Sequence, residues 1–243
     1  TDLIDQLIEK YKDHHFTEFI KDKSVVIVGP NTNLKGKNLG EYIDSFDIVV
    51  RSNTVFDFLP LNEELAKDYG SRTDIIYWSP TLIKRYANRK STIKKLKECN
   101  VKYICYQNGN KGYQYFELPY CFPQPLNWFK EKCKTIGTKM HFCHHETKLI
   151  VTLMNNNNSI NDNPVLPRTG YLPIFDCLIH QAGKIETIGL TFEDGGSNAF
   201  RPDALKTLVP NLNHDGTPSP HDSRIEEALA FKLDEIYSQF KFG

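Results

Sequence analysis

Five short runs of β-branched and aromatic residues punctuate the chain. They are Ser24-Val25-Val26-Ile27-Val28-Gly29, Asp47-Ile48-Val49-Val50, Asp74-Ile75-Ile76-Tyr77, Lys102-Tyr103-Ile104-Cys105 and Ile185-Glu186-Thr187-Ile188. Runs that are apolar on both faces, rather than alternating, predict strands of a parallel sheet covered on both sides. Between them apolar residues recur at helical spacing over 82–87, 92–99, 128–136, 148–154, 172–182 and 225–240. Leu3, Ile4, Leu7, Ile8 and Tyr11 predict a further amphipathic helix on the outside, so residues 1–22 read as a helical extension. Strand alternating with helix gives right-handed crossovers. The expectation is one α/β domain over residues 1–243, Rossmann-like, with a mainly parallel sheet flanked by helices. A ligand then belongs beyond the carboxyl ends of the strands, where Gly29, Asn53 and Ser79 fall. Two tracts break the pattern and read as loops: the polar, Asn-rich 155–164, and 193–220 with its four prolines.

Composition narrows the partners. With 30 Lys+Arg against 30 Asp+Glu, the chain has no net charge and no basic run to displace counterions from phosphates, which argues against nucleic acid. No stretch approaches the roughly 18 apolar residues that span a bilayer, and the N-terminus has no basic-then-apolar signal order. The chain begins at Thr1, which leaves room for an upstream segment or anchor. Cys99, Cys105, Cys121, Cys133, Cys143 and Cys177 are widely and irregularly spaced with no CxxC pair, so they read as free thiols of a reducing, cytoplasmic compartment rather than as zinc ligands.

The loop after the first strand fits neither common phosphate motif. Gly29 is followed by Lys35-Gly36-Lys37, but six residues intervene between the glycines and Asn38 follows the lysine; no GxGxxG is present. Either the segment is a plain turn, or Asn31 and Asn33 with backbone N–H groups contact a nucleotide directly.

Longer pieces carry a resemblance. Residues 26–35 with Gly40-Glu41-Tyr42-Ile43-Asp44-Ser45-Phe46-Asp47-Ile48-Val49-Val50-Arg51-Ser52-Asn53 resemble the long sialyl motif of eukaryotic-type sialyltransferases, glycosyltransferase family 29. Tyr69-Gly70-Ser71-Arg72-Thr73-Asp74 and Trp78-Ser79-Pro80 are similar to the elements that close it. Pro167-Arg168-Thr169-Gly170-Tyr171-Leu172, running to Ile188-Gly189-Leu190, resembles the short motif, and His221-Asp222-Ser223-Arg224-Ile225-Glu226 the very short one. The chain departs from the family in three places. It writes Gly29-Pro30 where relatives write Gly-Asn, and it spaces His214 only seven residues before His221. It also lacks the family's paired cysteines, with Ser24 at one position and Gln181-Ala182-Gly183 at the other.

The resemblance implies a GT-A-like sialyltransferase variant that moves sialic acid or a related acidic sugar from a CMP-sugar to a glycan hydroxyl, with inversion. His221 is the candidate general base, since an imidazole titrates near neutrality, and Glu226 its orienting partner. His214 or Arg168 could supply positive charge to the leaving phosphate. Thr169-Gly170 opens a helix whose N–H groups suit an anion. Gly29, Asn31, Asn33, Asn53 and Ser79 are the other donor-binding candidates, whereas Arg51 reads as structural. No Asp-x-Asp triplet occurs, so transfer without a metal cofactor is expected, and the His141, Cys143, His144, His145, Glu146 cluster reads as packing rather than as a metal site. A donor of another class (CMP-Kdo, UDP- or GDP-sugar) and a module that binds nucleotide or glycan without catalysis remain the alternatives.

Overall fold

The computed structural model describes residues 13–87, 89–106, 125–143, 168–190, 199–200 and 223–243. Each of the five apolar runs forms a strand: β1 Ser24–Val28, β2 Ile48–Ser52, β3 Ile75–Trp78, β4 Tyr103–Tyr106 and, later in the chain, β6 Lys184–Ile188. Two strands escaped the sequence reading, β5 Lys139–Phe142 and β7 Phe240–Lys241. The sheet order is β5-β4-β3-β2-β1-β6-β7, and all six strand pairings are parallel. From β1 the chain builds outward through β5, then returns to the opposite side of β1 with β6. The topological switch therefore lies between β1 and β6, which is where open α/β sheets bind ligands.

Helices cover both faces. Alternate residues of each strand send Val25, Ile27, Ile48, Val50, Ile75 and Tyr77 to one layer, together with α1 His14–Ile20, α7 Leu172–Ile179 and α8 Ser223–Ile236. Val26, Val28, Val49, Ile76, Trp78 and Ile104 face the other, against α2 Gly40–Asp44, α3 Glu63–Tyr69, α4 Pro80–Tyr86, α5 Lys90–Glu98 and α6 Pro125–Thr135. This double burial is the physical content of the non-alternating runs.

Two helices end well short of expectation. The 172–182 pattern ends as helix at Ile179, because Ala182 turns back to bridge Lys21 in antiparallel fashion. Around that bridge Asp22 N–H donates to the Gln181 carbonyl (3.0 Å), and the N–H groups of Gly183 and Lys184 donate to the Lys23 carbonyl (2.9 and 3.2 Å). A Cβ at Gly183 would meet the Asp22 carbonyl oxygen at 2.6 Å, so only glycine permits this approach. The 225–240 pattern ends at Ile236, and Phe240 joins β7 beside Ile185. No helix among the described residues is long and apolar enough to cross a membrane. Cys99, Cys105, Cys133, Cys143 and Cys177 are free thiols; Cys121 lies outside the described residues, as do the helices expected over 3–11 and 148–154.

Candidate active site at the sheet switch point

The loop after β1 starts at a forced glycine. Gly29 N–H donates to the Ile188 carbonyl at 2.7 Å, and a Cβ at Gly29 would sit 2.0 Å from the Gly189 carbonyl oxygen. Pro30 then directs the chain into a 3-10 turn over Thr32–Leu34 capped by Asn31. The Asn31 Oδ1 accepts from Asn33 N–H (3.0 Å) and its carbonyl accepts from the Tyr69 hydroxyl (2.8 Å). Asn31 is thus buried and committed to building the loop, while Asn33 is exposed. Burial pushes the Tyr69 hydroxyl up to about 12, with the Asp68 charge adding to it, so it stays a donor.

The end of β2 is held from below. Arg51 is buried, its Nε donating to the Arg72 carbonyl and the Thr73 hydroxyl, its Nη2 to the Tyr69 (2.7 Å) and Gly70 (2.9 Å) carbonyls. The guanidinium therefore staples the Tyr69-to-Thr73 segment under the strand, the structural part expected of it. Burial lowers its pKa to about 10, leaving it charged. Two residues on, Asn53 takes a left-handed conformation (φ 55°), which asparagine tolerates better than most residues. Its Oδ1 accepts from Ser79 N–H at 3.1 Å, joining the carboxyl ends of β2 and β3.

The turn before α7 comes in from the other side. The Arg168 carbonyl accepts from Tyr171 N–H (2.9 Å), Thr169 is buried, and the Gly170 Cα faces Leu190 and Ser52 so that a Cβ there would stand 3.5 Å from Leu190 Cδ2 and 3.6 Å from Ser52 Oγ. The Tyr171 hydroxyl reaches the Leu190 carbonyl at 3.4 Å. From the first turn of α8, the nearly inaccessible Glu226 carboxylate accepts from Arg168 N–H and, at 2.5 Å, from its guanidinium. Three sequence-distant pieces therefore meet: 52–53 with 79, 168–171, and Glu226. Gly29 and Asn31 flank them on the neighbouring strand. His214 and His221 lie outside the described residues.

Sequence reasoning did not single out Ser52, Tyr69, Tyr171 or Leu190 as site residues. Tyr69 and Leu190 border recognised motifs, and that adjacency was the available signal. His141 lies buried on strand β5; His144, His145 and Glu146 are outside the described residues.

The parallel sheet, with helices on both faces and a switch point between β1 and β6, defines an open, doubly wound α/β architecture. Residues 2–118 match the family model of glycosyltransferase family 29 (sialyltransferase), and the chain resembles that family. Over 87 residues, 34% of this chain, it is 36% identical to an alpha-N-acetylneuraminide alpha-2,8-sialyltransferase of Xenopus tropicalis; the matched stretch is 24% of that relative's length. Among solved structures, a mammalian sialyltransferase in complex with Gal-beta-1-3GalNAc-ortho-nitrophenol superposes with a TM-score of 0.52 at 15% identity, covering 99% of this chain and 76% of the other. A Campylobacter jejuni sialyltransferase in complex with CMP-3FNeuAc gives 0.55 at 15% identity, covering 90% and 81%. The alpha-2,3-sialyltransferase Cst-I of the same organism gives 0.56 at 17%, covering 90% and 75%. At these identities the structural likeness establishes the fold.

Proposed function

We propose that this chain transfers sialic acid or a related acidic sugar from a CMP-sugar donor to a glycan hydroxyl, with inversion and without a metal cofactor. The observation that carries the reading is the convergence of the 168–171 turn with Ser52, Asn53 and Ser79 at the switch point. In this reading Asn53 and the exposed Asn33 read the nucleoside, while Gly29 and the capped Asn31 shape the loop that approaches it. The N–H groups of Thr169 and Gly170, at the positive end of α7, receive the phosphate. The guanidinium of Arg168 is half-buried and paired with Glu226, which tempers its charge and fixes its direction. Glu226 then acts as a positioning residue for the turn. His221, two residues before α8, is the general base that takes the acceptor hydroxyl proton as the hydroxyl oxygen attacks the anomeric carbon and CMP departs; His214 supplies charge at the leaving phosphate.

Thermal-shift titration with CMP, UDP and GDP in the presence of EDTA tests the donor class. CMP at about 100 times its dissociation constant should stabilise the fold by roughly 2.7 kcal/mol. A response to UDP or GDP alone would redirect the donor, and CMP binding without donor hydrolysis or transfer would favour the non-catalytic module. His221→Ala should lower turnover by on the order of 10² or more; turnover within a few-fold of wild type removes His221 as the base.

A further inference from the structure

On the opposite side of the sheet from α2–α6, four residues from three separate parts of the chain, three of them buried and Asp13 partly exposed, meet in a polar network. Asp13 caps α1, its Oδ1 accepting from the N–H groups of His15 (3.0 Å) and Phe16 (3.2 Å). Its other oxygen lies 3.1 Å from His141 Nδ1, on β5. His141 Nε2 lies 3.3 Å from Asp176 Oδ1, on α7. His180, one turn further along, places Nδ1 2.8 Å from the Asp176 carbonyl and 3.1 Å from its Oδ1, and its Nε2 accepts from Asp13 N–H at 3.3 Å. Asp176 and His180 are fully inaccessible and His141 is 2% exposed. Phe16 of α1 stacks flat on the His141 ring, centroids 4.2 Å apart, and meets His180 edge-on.

The hydrogen bonds fix the protons. Burial pushes the His180 pKa down and the bond to Asp176 raises it overall, but the geometry asks for a proton on Nδ1 to reach a carbonyl and a lone pair on Nε2 to accept the Asp13 N–H, which is the neutral tautomer. His141 faces a carboxylate at each ring nitrogen, which calls for a proton on both. His141, Asp176 and His180 gather their ligand atoms closely enough for a metal ion, yet a proton on His180 Nδ1 and another on His141 Nε2 occupy the lone pairs a metal requires. We infer that the Asp13–His141–Asp176 series is a protonation-dependent latch: an imidazolium clamped between two carboxylates docks α1 onto α7, the helix that opens at the 168–171 turn.

The electrostatics agree in direction. Burial pushes the His141 pKa down, but the Asp176 charge and the bonds to Asp13 and Asp176 outweigh it and raise it well above the ordinary imidazole value. The hydrogen bond from His141 is the largest cause of a lowered Asp13 pKa; Asp176 is lowered against its burial chiefly by the His141 charge. Among the described residues, the other titratable groups around the network include Tyr77, whose hydroxyl donates to Asp176 Oδ2 at 2.5 Å, and Cys143, whose thiol approaches it at 3.7 Å. Cys105, Cys177, Tyr103 and Tyr106 lie close by. Burial raises the pKa of all six, so all are neutral when His141 is charged. A raised imidazole stabilises fully below about pH 6.5 and loses that contribution as pH rises through its folded value. The lowered carboxylates contribute above about pH 3.8. Both contributions coexist between about pH 4 and 6.5, and the latch loosens on the alkaline side.

The test needs no donor or acceptor and so is independent of the proposed activity. Imidazole 15N chemical shifts of the whole chain should show His141 doubly protonated at pH 7. The wild-type Tm should fall by about 3–6 °C per pH unit from about pH 6.5 up to the folded His141 pKa and level off above it, with amide exchange in α1 rising in step. Asp13→Asn retains a good helix cap but removes one carboxylate, so it should move the His141 titration and the Tm fall to lower pH. Because His141→Asn at a buried site can fail to fold, the milder Asp13 variant carries the comparison. A His141 that is neutral at pH 7, a Tm profile superimposable on that of Asp13→Asn, or stoichiometric Zn²⁺ binding that displaces the His141 protons would each overturn the latch.

Discussion

Gly29→Ala puts the tightest point of the fold to the test. The added methyl would stand 2.0 Å from the Gly189 carbonyl oxygen, 2.5 Å from its carbon and 2.8 Å from Leu190 N, all backbone atoms with no rotamer to yield. Relief requires β1 and β6 to part by more than about 1 Å at their carboxyl ends, since real C···O contacts close at about 3.3 Å. That separation breaks the 2.7 Å bond from Gly29 N–H to Ile188. A lost buried hydrogen bond costs about 1 kcal/mol and overpacking about 1–3 kcal/mol. The sum, roughly 2–4 kcal/mol, lowers Tm by about 5–15 °C in a chain of this size. Gly170→Ala is the control, because its methyl meets Leu190 and Ser52 at 3.5 and 3.6 Å, ordinary contact distances. Its Tm should stay within about 2 °C of wild type, while CMP affinity drops if the turn receives the donor. Melts followed by circular dichroism and urea titrations at constant slope measure both. The reasoning fails if Gly29→Ala melts within about 2 °C of wild type, or if Gly170→Ala proves the more destabilising of the two.

Arg51→Met removes a donor to four acceptors and leaves the Tyr69 and Gly70 carbonyls buried; a loss of at least about 3 kcal/mol is expected by urea midpoint, and Arg51→Lys should recover little of it because an ammonium cannot reproduce the fork. Burial holds Cys105 up at about 11 and Cys133 at about 12. Ellman's reagent at pH 8 should therefore leave both unmodified in the native protein and label them only at the unfolding rate; prompt modification of either, read by mass spectrometry, would contradict their burial.

The strands were legible wherever the chain is buried on both faces, because nothing polar interrupts such a run. β5 was not, since Lys139 and Phe142 at the sheet edge are exposed and Lys-Met-His-Phe reads as neither periodicity. α3 escaped for a related reason: within Glu63–Tyr69 only Tyr69 is buried, leaving no apolar stripe to find. At the candidate site, motif order pointed to Gly29, Asn53, Ser79, Arg168 and Gly170, which the fold gathers at one end of the sheet. Sequence could not show that Asn31 is turned inward to cap its own loop, or that Glu226 spends its carboxylate on Arg168; both depend on partners 2 and 58 residues away in a particular fold. The latch was invisible on the same grounds, its contacts spanning 128 and 35 residues with no motif to flag them.

The Lys21–Ala182 bridge lies close to Ser24 and within Gln181-Ala182-Gly183, the two places where the resemblance to family 29 implies a cysteine pair that this chain lacks. Here the closure is made of backbone hydrogen bonds and a glycine contact. A covalent closure couples maturation to an oxidant and to the time needed to find the right partner thiol, seconds to hours. A hydrogen-bonded closure forms as soon as β1 and β6 pair. This junction can therefore assemble at the speed of the sheet itself, indifferent to glutathione, and refolding from denaturant should proceed at the same rate with or without dithiothreitol.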